Sequence, residues 1–361
     1  MSTTTNNPLG IKGIDHIEFY VDDAAKYAEK YVKQYGFYKR AYGEPSTGLK
    51  GRKAFVVGQG RVNFLMAEPS GQGPEADAIR AHLDVHGISI KDVAFRVKDT
   101  AVALKHCGAC GVKIVRPLDE HEIFAGGTIQ AYGDTFHSFI QRKKHGAFAP
   151  GYVNIAEGIE DGEIQFAMID HIVANVEHMD EWVKFYAKVF GFDETAHFDI
   201  NTGRSALMSK VVGDTDGYVR LPINEPSSKN SQIQEFLDLH KGPGVQHIAL
   251  LTPDIITTVR EMRAQGVGFM DVPDSYYDEE FTKRVGEIKE NIDELKKLHI
   301  LVDRDRADGY LLQLFTMPVF ERPTFFHEVI QRRGNSMGFG EGNFRALFEA
   351  IEREQARRGS L

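Results

Sequence analysis

Asp170-His171-Ile172-Val173-Ala174-Asn175-Val176 answers Asp15-His16-Ile17-Glu18-Phe19-Tyr20-Val21 at a spacing of 155 residues (170 minus 15). Gly36-Phe37 meets Gly191-Phe192 at the same spacing, and Lys91-Asp92-Val93-Ala94-Phe95 meets Gln246-His247-Ile248-Ala249-Leu250. Self-similarity on this scale marks a duplicated module and decides architecture before any local reading. In both copies the opening strand leads into a helix with aromatics at helical spacing, Tyr27 and Tyr31 in the first, Trp182, Phe185 and Phe190 in the second. Gly36 and Gly191 end those helices, where a glycine takes the left-handed conformation without strain.

The rest of each copy follows the same plan. Strands are expected at 53–59 and 61–66 in the first copy and at 205–209 and 217–221 in the second. A strand at 93–97 precedes a helix at 99–108, and a strand at 247–251 precedes a helix at 254–266. Each copy closes on a matching phrase, Phe136-His137-Ser138-Phe139-Ile140-Gln141-Arg142 against Phe326-His327-Glu328-Val329-Ile330-Gln331-Arg332. Here the spacing is 190 (328 minus 138), so the second copy carries about 35 extra residues around 275–306, of which 279–298 reads as a charged amphipathic helix. The chain divides into a first domain at 8–150, a Gly- and acid-rich linker at 151–163 and a second domain at 164–361. The last domain ends in a loop, 334–342, and a helix at 343–358 with Phe344, Leu347, Phe348 and Ile351 on one face.

Composition narrows the function. The chain has 361 residues, 42% of them hydrophobic, which suits two soluble domains. Its apolar runs are too short to span a membrane, and its first ten residues lack a signal-peptide layout, so a cytoplasmic location is expected. A net charge of −9 argues against a nucleic-acid partner. Cys107 and Cys110 are the only cysteines; with no second pair to complete a zinc knuckle, they read as small residues near a helix end.

The chemistry sits where the copies differ. At three matched positions the first copy has His16, Asp92 and Ser138, and the second has His171, His247 and Glu328. Two imidazoles and one carboxylate form the facial triad of non-haem Fe(II) oxygenases, which leaves positions open for substrate and O2. Zinc accepts the same ligand set. Strand side chains alternate, so equivalent positions on three strands of a curled sheet can converge. A single such histidine reads as a satisfied core residue; three coincident positions, complete in one copy only, read as a metal site. His327 faces away from Glu328, and its counterpart His137 points to a structural role. His178, His197, His240 and His299 read as surface or supporting residues.

A series of phrases then carries a resemblance. In order they are Leu221-Pro222-Ile223-Asn224-Glu225-Pro226, Ser231-Gln232-Ile233-Gln234, Gln246-His247-Ile248-Ala249, Ile300-Leu301-Val302-Asp303-Arg304-Asp305, Leu312-Gln313-Leu314-Phe315, Arg322-Pro323-Thr324 and Gly338-Phe339-Gly340-Glu341-Gly342-Asn343-Phe344. Together they resemble the 4-hydroxyphenylpyruvate dioxygenase family of the vicinal oxygen chelate superfamily, over nearly the whole chain. The resemblance implies an α+β fold of two tandem βαβββ-repeat vicinal-oxygen-chelate domains, each a curled open β-barrel with flanking helices, plus a C-terminal lid helix. It implies Fe(II) on His171, His247 and Glu328, with the N-terminal domain holding no metal. It implies oxidation of 4-hydroxyphenylpyruvate by O2 to homogentisate and CO2, a step of tyrosine and phenylalanine catabolism. Gln232, Gln246, Gln313 and Asn343 match the family's catalytic positions; Ser205, Asn224, Gln232, Phe315, Phe339 and Phe344 match its substrate pocket. Phe315 and Phe344 would sandwich the substrate ring, and a homo-oligomer, dimer or tetramer, is expected. A 4-hydroxymandelate synthase and a non-catalytic ligand-binding protein of the same superfamily are the alternatives.

Overall fold

The computed structural model describes residues 6–144, 146–157, 162–201, 206–228, 231–272, 274–277, 279–344, 346 and 351–353. The first copy runs β1 (Ile11–Tyr20), α1 (Ala24–Tyr35), β2 (Tyr38–Gly43), β3 (Arg52–Gln59), β4 (Val62–Pro69), α2 (Pro74–His86), β5 (Ser89–Val97), α3 (Thr100–Ala109), β6 (Ile114–Glu120), β7 (Phe124–Gln130), β8 (Phe136–Arg142) and β9 (Tyr152–Glu157). The second runs β10 (Met168–Asn175), α4 (Met179–Phe185), β11 (Asp193–Asn201), β12 (Ala206–Gly213), β13 (Arg220–Pro226), α5 (Gln232–His240), β14 (Gly244–Leu251), α6 (Ile255–Ala264), α7 (Glu279–Val285), α8 (Ile292–Leu298), β15 (Leu301–Arg306), β16 (Gly309–Phe315) and β17 (Phe326–Gly334).

Each copy folds into one curled sheet, and the two strand orders are the same. The first is β6-β7-β8-β5-β1-β4-β3-β2-β9, and the second, read from its other end, is β15-β16-β17-β14-β10-β13-β12-β11. Among the described residues the one addition is β9, on the outer edge of β2. Each sheet is two βαβββ units, and the opening strand of one unit pairs antiparallel with that of the other, β1 with β5 and β10 with β14. This is the α+β architecture of two half-barrels with flanking helices that the family resemblance implied.

Local signals explain most boundaries. Asp23, Asp99 and Asp254 cap α1, α3 and α6 by accepting a backbone N–H of the first turn. Gly36 (φ 65) and Gly191 (φ 70) end the opening helices in the left-handed region, and the second helix finishes in one π-helical turn, Tyr186–Phe190. The buried face of α1 is Tyr27, Tyr31 and Tyr35 with two alanines.

Several sequence expectations shift. The 279–298 segment is not one helix: α7 stops before Gly286 (φ 66), and Asn291 restarts the chain as α8 by capping Asp293 and Glu294. The stretch expected as linker, 151–163, begins as strand β9. The strand expected at 217–221 lies at β13, because 214–217 forms a tight turn closed by Gly217 N–H on the Asp214 carbonyl. His240 is buried rather than on the surface. Of the expected C-terminal helix, Phe344, Ala346 and 351–353 are helical, whereas Leu347 and Phe348 lie outside the described residues, as does Ser205. Among the described residues no helix is long and apolar enough to cross a membrane. Cys107 and Cys110 are free thiols at the end of α3, and burial pushes the Cys107 thiol up to about 12.

The halves share one core. Tyr31 of α1 meets His327 of β17 at 2.8 Å, and the matching Tyr186 meets His137 of β8 at 2.6 Å. The His137–His327 pair therefore stitches the halves reciprocally, which is the structural role expected from its repetition. Gln59 adds a third tie by receiving the Phe166 N–H at 2.5 Å and donating to the Ile164 carbonyl at 2.9 Å.

Candidate metal centre

Three neighbouring strands of the second sheet bring the candidate donors together. His171 is opposite Ala249 on β14, and Ala249 is opposite Glu328 on β17, so the three form one row across the sheet. His247 lies two residues before Ala249 and therefore faces the same side. Alanine in the middle of the row leaves the space over which the longer side chains converge. His171 Nε2 stands 3.1 Å from Glu328 Oε2, and His247 Nε2 stands 3.6 Å from the same oxygen. Donors on one face of an octahedron with bonds of about 2.1 Å lie about 3 Å apart, so this spacing suits a single ion. All three side chains are buried.

The supporting groups fix which nitrogen faces the cluster. Asp170 accepts from His171 Nδ1 at 2.8 Å, and the Gln246 side-chain oxygen lies 3.0 Å from His247 Nδ1. Both Nδ1 atoms thus carry the proton, which leaves each Nε2 lone pair pointing into the cluster. Arg332 clamps Asp170 with two bonds of 2.7 Å, and its remaining nitrogen donates to the Gly338 carbonyl at 2.7 Å. The arginine thereby joins the metal cluster to the loop that carries Phe339.

Electrostatics favours a cation here. Burial depresses the His171 imidazole, but the Glu328 and Asp170 carboxylates outweigh it and raise its pKa to about 8. Burial pushes His247 down despite Glu328, keeping it neutral as a ligand must be. Burial opposes ionisation of Glu328, yet the neighbouring imidazoles hold its carboxyl below the usual range. Its second oxygen, Oε1, is buried with no hydrogen-bond partner. Such an orphaned carboxylate oxygen is costly unless a ligand takes it up.

The matched site in the first copy keeps the frame and lacks the convergence. Asp15 accepts from His16 Nδ1 at 2.9 Å and from Arg142 Nη2 at 2.6 Å, as Asp170 does from His171 and Arg332. There Ser138 uses up the carboxylate of Asp92, donating to it from both its backbone N–H, at 3.0 Å, and its hydroxyl. Burial raises the Asp92 carboxyl, which favours its neutral form. His16, Asp92 and Ser138 do not assemble a three-donor cluster; His171, His247 and Glu328 do.

A cavity opens over the C-terminal cluster. It is lined by Asn224, Gln232, Gln246, Phe315, Phe339 and Phe344 from the sequence set, with Ile351 at its rim. Gln313 lies outside this lining but is wholly buried on the same strand face as Phe315, whose cross-strand partner is Glu328. Both of its amide atoms lack a partner, as do Gln232 Oε1 and Asn343 Nδ2. Tyr276 donates to Asn343 Oδ1 at 2.6 Å and so holds that side chain on β15. Gly340 (φ 78) is needed where it stands: a Cβ there would come within 2.3 Å of the Gln313 amide. Sequence reasoning missed two wall residues and one residue behind the wall. Phe198, on β11, packs edge-on to Phe344 at 5.1 Å, and Phe326 stacks on His247 at 4.7 Å; behind them Asn175 accepts from the lining Asn224 at 3.1 Å. Asn175 was discoverable as the polar end of an otherwise apolar strand. His178 and His197 are exposed, and His299 caps α8.

The chain is similar to known proteins over nearly its whole length. Residues 5–151 match the family described as "Hydroxyphenylpyruvate dioxygenase, HPPD, N-terminal", and 168–314 match "Glyoxalase/Bleomycin resistance protein/Dioxygenase superfamily". The chain is 41% identical over 378 residues to 4-hydroxyphenylpyruvate dioxygenase of Yarrowia lipolytica, covering 99% of this chain and 95% of that protein. It is 40% identical over 376 residues to the Dictyostelium discoideum protein of the same name, covering 97% and 100%. Among solved structures, a triple mutant of 4-hydroxymandelate synthase from Streptomyces coelicolor superimposes with a TM-score of 0.84 at 28% identity, over 96% of this chain and 99% of that one.

Proposed function

The chain belongs to the 4-hydroxyphenylpyruvate dioxygenase family, and on that premise we propose that it converts 4-hydroxyphenylpyruvate and O2 to homogentisate and CO2, with Fe(II) held by His171, His247 and Glu328. The observation that carries the proposal is the coincidence, in one copy only, of a three-donor cluster with a cavity of aromatic rings and amides. Bound there, Fe(II) supplies open positions at which the 2-oxo acid is chelated and O2 is activated for oxidative decarboxylation, ring hydroxylation and side-chain migration.

The protein's own part is binding, orientation and exclusion of water. Among the described residues that line the cavity there is no Lys or Arg, and the substrate carboxylate finds its counter-charge at the cluster. That selects one orientation: oxo acid inward, phenol outward. Phe315, Phe339 and Phe344 supply flat apolar faces for the ring. Asn224 and Gln232 offer amide groups to the polar ends of the substrate, and Gln246 holds His247 in the ligating tautomer. Gln313, with unpaired amide atoms on the strand beside Glu328, and Asn343, whose Nδ2 lacks a partner, are assigned to the reacting end by their match to the family's catalytic positions. A buried amide that is unpaired in the free enzyme gains its partner when substrate arrives, which favours the bound state. Cover of the cavity by Phe339, Phe344 and Ile351 excludes bulk water and strengthens these contacts.

Product analysis after aerobic incubation of the iron-loaded protein with 4-hydroxyphenylpyruvate tests the proposal. Homogentisate is the expected product. 4-Hydroxymandelate without homogentisate would make the chain a synthase of the benzylic alcohol, and no O2 uptake would make it a binding protein.

A further inference from the structure

A second convergence of ligand-type side chains lies on the seam between the halves, apart from the centre described above. His82 and His86 are four residues apart on α2 and so share one helix face. Asp134 reaches them from the turn between β7 and β8. One ligand atom from each of the three lies within 4.8 Å of the others. The histidines are buried, with side chains 2% and 9% exposed, whereas Asp134 is 43% exposed and opens the cluster to solvent.

The hydrogen bonds fix the lone pairs. His86 Nδ1 lies 2.7 Å from the backbone carbonyl oxygen of His240, and a carbonyl only accepts, so this nitrogen carries a proton. Its other nitrogen, Nε2, faces Asp134 Oδ2, 3.6 Å away, which is too long for a good hydrogen bond and leaves room for an ion between the two atoms. His82 Nδ1 is 2.8 Å from the same oxygen, and His82 Nε2 is 2.8 Å from the Ser89 hydroxyl. That hydroxyl both donates and accepts, so it can take the Nε2 proton and free Nδ1 for ligation. Each imidazole is thus backed by an oxygen on its far side, as metal-bound histidines are.

We infer that His82, His86 and Asp134 form a second, structural site for a divalent transition cation of the zinc type, bound through His82 Nδ1, His86 Nε2 and Asp134 Oδ2, with water completing the shell. Tetrahedral donors at about 2.0–2.1 Å stand about 3.4 Å apart, and the two distances to Asp134 Oδ2, 2.8 and 3.6 Å, bracket that value. Two nitrogens and one oxygen suit zinc better than calcium or magnesium, which take all-oxygen shells. Lys91 holds the other carboxylate oxygen, Oδ1, at 2.7 Å, and its charge moderates the affinity without occupying a ligand position.

The site would fasten the two halves together. His86 and His240 stack at 4.5 Å, and His240 ends α5, the helix whose first residue is the pocket residue Gln232. An ion that fixes His86 therefore fixes the far end of a helix that lines the substrate cavity.

The test is a metal count on the full-length, iron-loaded protein after equilibration with a small excess of zinc chloride and gel filtration, with melting curves alongside. The wild type is expected to carry two ions per chain, iron and zinc summed, and to melt higher with zinc than without. Asp134→Asn keeps an acceptor for His82 but loses the anionic ligand, and His86→Gln loses the aimed nitrogen. Each is expected to carry one ion and to melt the same with or without zinc. Zinc that merely displaces iron from the C-terminal cluster leaves the total at one and does not imitate the result. A wild-type total of one ion per chain, or two ions retained by both variants, would overturn the inference.

Discussion

Asp170→Asn and Asp15→Asn are the same change made in the two copies, and the account predicts that they differ in one respect only. Each aspartate is nearly or fully buried, accepts from a histidine Nδ1 (2.8 Å for His171, 2.9 Å for His16), and is clamped by an arginine (Arg332 at 2.7 Å, Arg142 at 2.6 Å). Removing one partner of a buried ion pair costs about 3–5 kcal/mol, and an amide that keeps one acceptor should fall at the low end, about 3 kcal/mol in either copy. At roughly 2–4 °C per kcal/mol for large domains, both variants should melt several degrees lower. Only Asp170 supports an imidazole of the three-donor cluster. Loss of such a partner weakens metal binding about 10–100-fold, or roughly 1.4–2.8 kcal/mol. Anaerobic titration of Fe(II) against a competing chelator, run with calorimetric melting, reads both quantities. Equal iron affinity in Asp170→Asn and wild type, or an equal loss in Asp15→Asn, would refute the assignment of the working site to the second copy.

Tyr31→Phe and Tyr186→Phe each leave a buried histidine nitrogen without its hydroxyl partner. Each should cost about 1–3 kcal/mol in urea unfolding, and the double variant should be close to the sum, since the two contacts are separate. Gln313→Leu removes an amide that has no partner in the fold; stability should stay level or rise by about 1 kcal/mol while turnover falls, and a turnover equal to wild type would remove Gln313 from the site. Burial holds His137 down to about 4 and His240 down to about 3, against about 6.5 in the unfolded chain. Below pH about 6.5 the unfolded chain therefore binds protons that the native state does not. Stability should be complete above that pH and fall by about 1.4 kcal/mol per pH unit for each histidine as pH drops toward 4. Urea midpoints at pH 7.5 and 5.5 check this, and equal midpoints would mean that these rings are protonated in the fold.

The duplication made the two repeated modules and the three candidate donors legible, because a donor cluster written across three strands leaves one residue in each matched phrase. The helices α2 and α5 were not legible. The buried face of α2 is Ala76, Ile79, His82 and His86, which is too small and too polar to stand out as an apolar stripe. Periodicity also merged α7 with α8, since a charged helical pattern continues through Gly286, where the left-handed backbone ends α7 six residues before α8 begins. Pocket walls such as Phe198 and Phe326 were hidden because an aromatic on a strand reads as core whichever side it faces. The amides at Gln232, Gln313 and Asn343 gave no signal by residue type. It is the lack of partners for their buried atoms that sets them apart, and no sequence pattern records that.

The most direct test of the account compares O2 uptake and product in wild type, Glu328→Ala and His16→Ala, each loaded with Fe(II) and supplied with 4-hydroxyphenylpyruvate. Glu328 is the one anionic donor of the C-terminal cluster, and His16 is its counterpart's histidine in the copy where Ser138 has taken the carboxylate. The account predicts homogentisate in step with O2 from the wild type and from His16→Ala, and neither O2 uptake nor product from Glu328→Ala. Turnover by Glu328→Ala, or its loss in a folded His16→Ala protein, would contradict it.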